Sequence, residues 1–352
     1  MVGRVETVAD LGELRLLNEV ILPDVAANVD AINDDCAHLS LFGKSALWSM
    51  DPCPTPVANW FGKASPEVWG CYTAAINLSD IAASGGTPVG MLVSLEIPDE
   101  TPVSFVKGFQ SGLMRALRRA GADLLGGNVK SAKKFSATGT IIGISGGRAV
   151  TRKIEANTVS VYLVGGSGEF WAAVLANYYG SNGLCDETLG SIDRALCFPL
   201  PRVREGILLG GLPFSVACMD CSDGPVNSVF QLARINSLDI ELYSHVDWSL
   251  STELMDFFSL NNVDVENACY SFGDWQLACL VATEYEELFK ASLSGSVLTK
   301  LGEGVRGAGR VTTEDGRSLQ VDMINQNFQG GYNSIGSAEE LIDRYLRKPL
   351  FR

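Results

Sequence analysis

The sequence predicts a layered α/β fold in two halves, residues 1–150 and residues 151–352. Short apolar runs that are typical of strands alternate with segments of helical period in both halves. The stretch GGRAVTR at 146–152 interrupts this alternation and marks the predicted boundary. A chain of 352 residues is also long enough to form two hydrophobic cores. We therefore expect an N-terminal and a C-terminal α/β domain.

The first half carries clear helical and strand patterns. Its predicted elements are, in chain order, a helix at 10–22, a β-hairpin at 36–50, a helix at 71–85, a strand at 90–97, a helix at 103–119 and strands at 123–127 and 136–144. Four prolines between 52 and 66 predict an irregular loop after the hairpin. Residues 128–134 are expected to form a second loop between the last two strands.

The second half again mixes both kinds of element. Its predicted elements are strands at 160–164, 214–219, 239–244 and 277–283, helices at 169–179, 226–235, 285–293 and 338–346, and a glycine-rich turn at 302–309. No long polar linker separates these elements, so we expect both halves to be folded throughout.

The composition excludes several classes of protein. Twenty-seven basic residues against 41 acidic residues give a net charge of −14, which disfavours non-specific binding to nucleic acid or to anionic membranes. The N-terminal segment lacks the apolar core of a signal peptide, and apolar runs fall short of the roughly 18–20 residues of a membrane span. Nine scattered cysteines without paired zinc-binding clusters indicate a reducing environment, so we expect a cytoplasmic protein.

Asp80 is the most informative residue of the first half. Helical spacing places it on one stripe with Tyr72 and Ile76, where an apolar side chain would be expected. A carboxylate buried there must be paired, protonated or bound to a cation. Taken alone, Asp80 is more simply explained as a helix carboxylate that caps a neighbouring loop.

Further acidic positions share the setting of Asp80, because each lies where a predicted strand or helix meets a loop. They are Asp34, Asp35, Asp51 and Asp223. Carboxylates that converge on one cleft repel one another unless divalent cations lie between them, and oxygen-only ligands favour Mg²⁺ or Mn²⁺ over zinc. Such a site would bind a nucleotide through bridging metal ions. Taken one at a time, these residues have simpler explanations. Asp34 and Asp35 could form an exposed turn, Asp51 an Asx turn, and Asp223 a helix N-cap.

Glycine-rich turns offer further phosphate contacts. Residues 164–168, VGGSG, join a predicted strand to a helix but lack the GKS or GKT ending of a Walker A loop. Gly127 and Asn128 follow another strand, and Lys130 comes two residues later, where it could reach a phosphate. Ser222 precedes a predicted helix and could contact the nucleotide or cap that helix.

In this order, the motifs resemble the superfamily of thiamine-monophosphate kinase, aminoimidazole ribonucleotide synthetase and selenophosphate synthetase, and thiamine-monophosphate kinase most of all. The matching stretches are Gly12-Glu13, Asn33-Asp34-Asp35, Asn77-Leu-Ser-Asp80, Gly126-Gly127-Asn128, Pro199-Leu-Pro201-Arg202, Asp220-Cys-Ser-Asp223-Gly224 and Phe272-Gly-Asp274-Trp275. The resemblance implies an N-terminal domain whose sheet forms a barrel across a homodimer and a C-terminal domain that completes an ATP cleft.

The resemblance also implies roles for individual residues. Metal ligands would be Asp34, Asp35, Asp51, Asp80 and Asp223, of which Asp51, Asp80 and Asp223 would be catalytic. Nucleotide contacts would come from Asp34, Asp35, Asn77, Gly127, Asn128, Lys130 and Ser222. Asp274 and Trp275 would lie near the acceptor substrate. Asn128 stands where the family has an aspartate, so one metal contact would be weakened.

The sequence departs from the family where the acceptor should bind. The family's Glu-Asp-Tyr-Glu run is replaced by Gly273-Asp274-Trp275-Gln276, which removes two carboxylates and suggests a less cationic acceptor than a thiazolium. Three functions follow. The first is an ATP- and Mg²⁺-dependent phosphotransferase acting on a small molecule. The others are an ATP-dependent condensing or dehydrating enzyme, and a nucleotide-binding subunit without catalysis.

Overall fold

The computed structural model describes residues 7–24, 34–41, 43–147, 149–320 and 332–352. Strands in these ranges form two sheets, which confirms the predicted α/β class. The first sheet contains β1 (Ala37–Leu41), β2 (Lys44–Pro52), β3 (Gly86–Ile97), β4 (Asp123–Ser131) and β5 (Ser136–Ser145). Its spatial order is β1-β2-β5-β3-β4, with β3 and β4 parallel and the other pairs antiparallel.

The second sheet lies in the C-terminal half. Its strands are β6 (Thr158–Val164), β7 (Val216–Asp220), β8 (Leu238–Leu242), β9 (Leu277–Ala282), β10 (Leu298–Arg306) and β11 (Val311–Thr313). They lie in the order β11-β8-β10-β6-β9-β7. Because β7 and β9 are buried along almost their whole length, the apolar runs of the sequence identify them well.

Helices accompany both sheets. Those of the first half are α1 (Val8–Leu11), α2 (Glu13–Leu16), α3 (Pro66–Ala83) and α4 (Val103–Arg119). Those of the second half are α5 (Glu169–Tyr179), α6 (Asp186–Cys197), α7 (Val203–Gly210), α8 (Pro225–Asn236), α9 (Thr252–Leu260), α10 (Val265–Tyr270), α11 (Glu286–Ser292) and α12 (Ala338–Ile342). Within these ranges, no helix is both long and apolar enough to cross a bilayer.

Helix α3 occupies the centre of the molecule and is buried on nearly every side. Ser65 caps its first turn and Pro66 is its first residue, so it begins before the predicted start at 71. Small residues let neighbouring helices approach its backbone. A Cβ on Gly70 would lie 2.0 Å from the carbonyl oxygen of Phe109 in α4, and one on Gly206 in α7 would lie 2.3 Å from that of Ala82.

Two predicted loops are strands in the structure. Residues 128–131 belong to β4, where Asn128 pairs with Ser94 of β3, so the loop prediction over 128–134 is wrong for those residues. The predicted turn at 302–309 is wrong for 302–306, which belong to β10, whereas the chain bends at 307–309. A Cβ on Gly302 would lie 2.1 Å from the carbonyl oxygen of Glu241, so this glycine permits close strand approach and does not form a turn.

The first sheet is open in this chain, with β1 and β4 at its edges. Closure into a barrel would require strands from a second subunit, so the predicted homodimeric barrel stays a prediction. The predicted domain boundary near 150 also stays a prediction, although the two sheets do fall on either side of it.

Helix α4 packs so closely on α3 that a single methyl group is expected to disturb the contact. A Cβ on Gly112 would lie 2.0 Å from the carbonyl oxygen of Glu67, so Gly112→Ala should lower the free energy of unfolding by about 1–3 kcal/mol. Urea unfolding followed by circular dichroism measures this change.

Gly190→Ala in α6 is the matched control. Its Cβ would meet only the guanidinium of Arg194, at 3.5 Å, so the variant should gain up to about 1 kcal/mol from helix propensity. Equal effects of the two substitutions would contradict the proposed close packing of α3 and α4.

Candidate active site

A cavity of about 860 Å³ opens between the two halves of the chain. Both sheets contribute to its wall: Asp51 lies on β2, and Met219 and Asp220 lie at the end of β7. Helix α3 adds Tyr72 and Asp80. One end of the cavity is acidic and the other is aromatic, which makes it large and varied enough for two ligands.

Three carboxylates meet at the acidic end. Asp35 precedes β1, Asp80 lies on α3 and Asp220 is the last residue of β7. One oxygen from each lies within 4.8 Å of the others, a spacing that would allow one cation to bind all three. Asp80 and Asp220 are buried. We call these residues the acidic triad.

Burial and mutual repulsion make the triad costly while it is charged. Burial, followed by the charges of Asp220 and Asp51, raises the pKa of Asp80 well above its usual range. Burial and the charge of Asp35 raise the pKa of Asp220 to about 7. The Ser49 hydroxyl donates a hydrogen bond to Oδ2 of Asp80. These carboxylates therefore favour a proton or a cation between them.

Arg152 places a positive charge beside the triad. Its Nη2 donates to Oδ1 of Asp35 at 2.7 Å, and its backbone N–H donates to Oδ1 of Asp34 at 2.6 Å. The backbone carbonyl of Arg152 accepts a hydrogen bond of 2.8 Å from Nδ2 of Asn236 on α8. Sequence reasoning missed Arg152 because nothing in its neighbourhood marks a lone arginine in a segment that joins two halves.

Asn77 joins helix α3 to strand β2 next to the acidic end of the cavity. Its side chain is fully buried, and its Oδ1 accepts a hydrogen bond of 3.2 Å from the backbone N–H of Asp51. Its Nδ2 donates to the carbonyl of Thr73 one helical turn earlier, at 3.0 Å. Asn77 thus holds strand β2 against α3 and fixes the position of Asp51. It does not itself belong to the cavity wall.

The structure brings most of the predicted acidic residues together. Predicted site residues that line the cavity are Asp34, Asp35, Asp51, Asp80, Ser222, Asp223 and Trp275. The member of the triad from β7 is Asp220, which the sequence analysis did not select. Asp223 lies in the loop beyond it and is only half-buried. Asp220 ends a buried apolar strand, and that position was the signal available in the sequence.

Three predicted nucleotide contacts lie elsewhere. Gly127, Asn128 and Lys130 belong to edge strand β4 and do not appear in the cavity wall formed by the described residues. The strand register runs from Asp51 through β5 and β3 to Gly127, so the two are three strand spacings apart, about 14 Å. Contacts of Gly127, Asn128 and Lys130 with the nucleotide stay a prediction.

Asp274 caps a helix in the structure. Its Oδ2 accepts the backbone N–H of Gly168 at 2.6 Å, and its Oδ1 accepts that of Phe170 at 2.9 Å. Both oxygens thus cap the start of α5, and the side chain lies outside the cavity wall. The glycine-rich turn before α5 is accordingly closed by a carboxylate of the chain itself. A substrate contact of Asp274 stays a prediction.

Aromatic side chains form the opposite end of the cavity. Those at this end are Tyr72, Phe170, Phe272, Trp275 and Tyr332, whereas Trp48, also in the wall, adjoins Ser49 near the acidic end. Trp275 packs edge-on against Tyr72, with ring centroids 6.3 Å apart. The Tyr332 hydroxyl donates to the carbonyl of Thr55 at 2.7 Å, so the C-terminal segment joins the proline-rich loop over this end.

Asp220 should make the stability of the metal-free protein depend on pH. In the folded protein the pKa of Asp220 is about 7, above its ordinary value of 3.8. The contribution of the protonated Asp220 carboxyl to the free energy of unfolding is therefore complete below about pH 4 and is lost as the pH rises through 7. The corresponding loss is about 4 kcal/mol at most. Urea unfolding in chelator should show this decline in the wild type and a smaller decline in Asp220→Asn. Identical pH profiles would contradict the burial and repulsion described for Asp220.

Known proteins resemble both the first half of this chain and its whole length. The family described as AIR synthase related protein, N-terminal domain, matches residues 33–145, which include all strands of the first sheet. A solved structure described as AaThiL complexed with AMPPCP and TMP superposes with a TM-score of 0.75 and 24% identity, covering 90% of this chain and 97% of that one. This structural likeness extends the shared fold to the second half.

Relatives named thiamine-monophosphate kinase cover most of the sequence. The protein from Bacillus subtilis is 30% identical over 278 residues, which is 77% of this chain and 84% of the relative. The protein from Aquifex aeolicus is 28% identical over 269 residues, which is 76% of this chain and 85% of the relative. They confirm the predicted resemblance and the predicted class of enzyme, an ATP-dependent kinase. The chain therefore belongs to the thiamine-monophosphate kinase family of AIR synthase-related proteins.

Proposed function

We propose that this protein transfers the γ-phosphate of ATP to the phosphate of thiamine monophosphate, which yields thiamine diphosphate and ADP. The observation that carries the proposal is the two-ended cavity, in which the acidic triad faces the same space as the aromatic wall. A triphosphate with its cations suits the first end, and an aromatic acceptor suits the second. Family membership points to the same reaction.

The acidic triad fits magnesium. Its donors are carboxylate oxygens, which Mg²⁺ prefers, and their spacing allows more than one of them to bind the same ion. Asp35, Asp80 and Asp220 would hold the metal, with Asp34, Asp51 and Asp223 nearby in the wall. Bound there, Mg²⁺ would neutralise phosphate charge and orient the triphosphate. Such a cation would offset the burial and the charge repulsion that raise the pKa values of Asp80 and Asp220.

Direct in-line transfer agrees with the residues of the wall. Among the described lining residues there is no histidine, and burial raises the pKa of the Cys53 thiol to about 12, so this thiol stays protonated. A covalent phosphoenzyme on either group is therefore disfavoured. The chain instead holds both substrates, excludes water at the aromatic end and aligns the acceptor oxygen with the γ-phosphorus.

The aromatic wall supports a cationic acceptor. Aromatic faces attract cations, and the carboxylates of the same cavity give it a negative potential. Gln276 is one of the two positions at which a carboxylate is lost, and its side chain is fully buried. Its Nε2 donates a hydrogen bond of 3.0 Å to the hydroxyl of Ser167, and neither residue is part of the described cavity wall. At Gly273, the other site, a Cβ would lie 2.2 Å from the ring of Phe170. Gln276 therefore lies outside the described wall, whereas Gly273 lines it, and the remaining aspartates of the cavity still supply the negative potential that suits a thiazolium.

We also propose that the protein is a homodimer joined through the first sheet. Large apolar side chains are exposed on its strands, including Met50 at 67%, Leu92 at 43% and Val129 at 69%. Strand β4 leaves an unpaired edge in the single chain. A second subunit would cover this surface and would bring another copy of Gly127, Asn128 and Lys130 near the interface.

An acceptor assay distinguishes the three functions. We expect Mg²⁺-dependent formation of ADP and thiamine diphosphate in equal amounts when ATP and thiamine monophosphate are both present, because transfer is direct. Chromatography of both products measures the ratio. Inorganic phosphate without thiamine diphosphate would instead favour the condensing or dehydrating enzyme. ATP binding without turnover would favour the non-catalytic subunit.

Variants of the triad link this reaction to the cavity. Asp80→Asn and Asp220→Asn should each lower kcat at least about 100-fold, because each removes a charge that balances the metal. Asp193→Asn is the control, since it breaks only a surface ion pair with Lys63 and should keep wild-type activity. Wild-type activity in Asp220→Asn would contradict the assignment of the triad.

The dimer proposal is tested by one charge on the exposed sheet. Leu92→Glu should produce a monomer, because a carboxylate would be buried without a partner in the interface. Light scattering coupled to gel filtration measures the mass. Leu260→Glu is the control, since Leu260 is 71% exposed on α9 in the other half of the chain. A wild-type monomer, or a dimer in Leu92→Glu, would contradict the proposal.

A further inference from the structure

We propose that a second pocket, in the C-terminal half of the chain, binds a small apolar amino acid as its zwitterion. The pocket has a volume of about 250 Å³ and shares no lining residue with the active-site cavity. Sites for drug-sized ligands occupy about 300–1,000 Å³, so this volume suits a smaller molecule. The inference goes beyond the proposed phosphoryl transfer and does not depend on it.

Opposite charges line the second pocket without pairing across it. Glu266 of α10 is half-buried, and the described residues offer its carboxylate no hydrogen bond and no ion pair. Burial, followed by the charge of Asp264, raises the pKa of Glu266, and the charge of Arg317 partly opposes this rise. Arg317 also lines the pocket, but its Nε donates to Oδ2 of Asp315 at 2.8 Å. A carboxylate and a guanidinium therefore face one space that a ligand with both charges could bridge.

Two uncharged groups extend the side of the pocket that carries Glu266. Asn267 uses its Nδ2 to donate to the backbone carbonyls of Leu346 and Lys348, at 3.0 and 3.2 Å, which leaves its Oδ1 as an acceptor. Tyr270 lines the pocket, and its hydroxyl is buried without a hydrogen-bond partner among the described residues. Such a group is costly unless a ligand supplies the partner. An ammonium group, with three donors, suits these acceptors.

Two arginines form the opposite side. Arg317 and Arg347 both line the pocket, and each pairs with an aspartate at the surface, Asp315 and Asp343 respectively. Nη2 of Arg347 also donates to the hydroxyl of Tyr179. The two side chains stay 41% and 42% exposed, and each guanidinium has five N–H donors, so both have donors left for a further anion. A carboxylate matches the planar fork of a guanidinium.

Apolar side chains of the C-terminal segment complete the pocket. Leu346, Leu350 and Phe351 are buried and line it. The ring of Phe351 packs edge-on against that of Tyr270, with centroids 6.0 Å apart. An apolar surface beside both kinds of charge favours a ligand that has an ammonium group, a carboxylate and a hydrocarbon side chain. An apolar α-amino acid has all three.

The balance of charge argues against a simple ion. Asp264 and Glu266 supply two negative charges, and Arg317 and Arg347 supply two positive charges. A phosphate would be repelled by the carboxylates and a metal ion by the guanidinium groups, whereas a zwitterion places each charge against its opposite. In the part of the chain that the structure describes, carboxylates spaced to share one cation occur only in the acidic triad.

The wall of the second pocket continues into the active-site cavity. Helix α10 ends at Tyr270, and Phe272, two residues later, lines the cavity. Ser271 lies between them and donates its hydroxyl to the carbonyls of Asn267 and Tyr345, at 2.7 and 3.1 Å. A ligand that orders α10 is therefore expected to order the backbone at the aromatic end of the cavity as well.

Calorimetry with the full-length protein tests the class of ligand. L-leucine and L-phenylalanine are the probes, and we expect at least one of them to bind with a Kd of about 1 mM or lower. The matching amide lacks the carboxylate, and the matching deaminated acid lacks the ammonium group. Each analogue should bind at least tenfold more weakly than the amino acid, because it leaves one side of the pocket without its charge partner.

Variants with matched controls locate the ligand. Glu266→Gln and Arg317→Gln should each weaken binding at least tenfold, because each removes one charge partner. Glu241→Gln changes an exposed position on β8, and Arg310→Gln breaks a surface ion pair with Asp239, so both should bind as the wild type does. Hydrogen exchange gives a second readout: residues 265–272 should exchange more slowly with the amino acid in the wild type, but not in Glu266→Gln.

The outcomes are distinct. Failure of both amino acids to bind the wild type, or wild-type affinity in Glu266→Gln or Arg317→Gln, would overturn the site. Equal binding of the amino acid and its deaminated acid, or of the amino acid and its amide, would overturn the zwitterion. The analogues are tested on the wild type, so this result does not depend on the folding of a variant. Failure to phosphorylate thiamine monophosphate would overturn the proposed function and leave this inference unchanged.

Discussion

The convergence of buried carboxylates is the constraint on which the rest of the site depends. Asp35, Asp80 and Asp220 come from three separate elements, and packing of α3 between α4 and α7 places the central one. Such a cluster destabilises the folded chain unless a proton or a cation balances it. The glycine contacts of α3 allow helices to approach closely enough to bury Asp80. The burial of the site carboxylates therefore depends on the close packing of the helices around α3.

The chain balances part of this charge by itself. Arg152 pairs with Asp35 and is attached to both halves, while Asn77 holds β2 against α3. At the other end, Asp274 caps α5 and so positions the aromatic wall through Phe170. Arg152 in the wall, and Asn77 and Asp274 outside it, therefore hold the elements that carry the acidic and aromatic side chains. This arrangement gives a nucleotide and an aromatic acceptor adjoining places.

Much of the fold could be predicted from local patterns, and less of the site. The helix at 103–119 and the aspartates at 34, 35, 51 and 80 were identified because periodicity and element ends are local signals. Asp220 and Arg152 were missed because their importance arises from tertiary contacts. Edge strand β4 was predicted to end before Asn128, since the glycines at 126 and 127 are typical of turns, whereas pairing with β3 continues the strand. Sequence spacing alone could not show that Asp274 faces a helix terminus.

Metal binding in the presence of nucleotide tests the central claim most directly. Mn²⁺ can replace Mg²⁺ and be counted by electron paramagnetic resonance, with a non-hydrolysable ATP analogue present. We predict that the wild type binds at least one Mn²⁺ per chain in the presence of the nucleotide, and binds it much more weakly or not at all without the nucleotide. Asp220→Asn should lose most of the Mn²⁺ affinity that the wild type has in the presence of the nucleotide. Equal Mn²⁺ binding by the wild type and Asp220→Asn would contradict the account of the acidic triad.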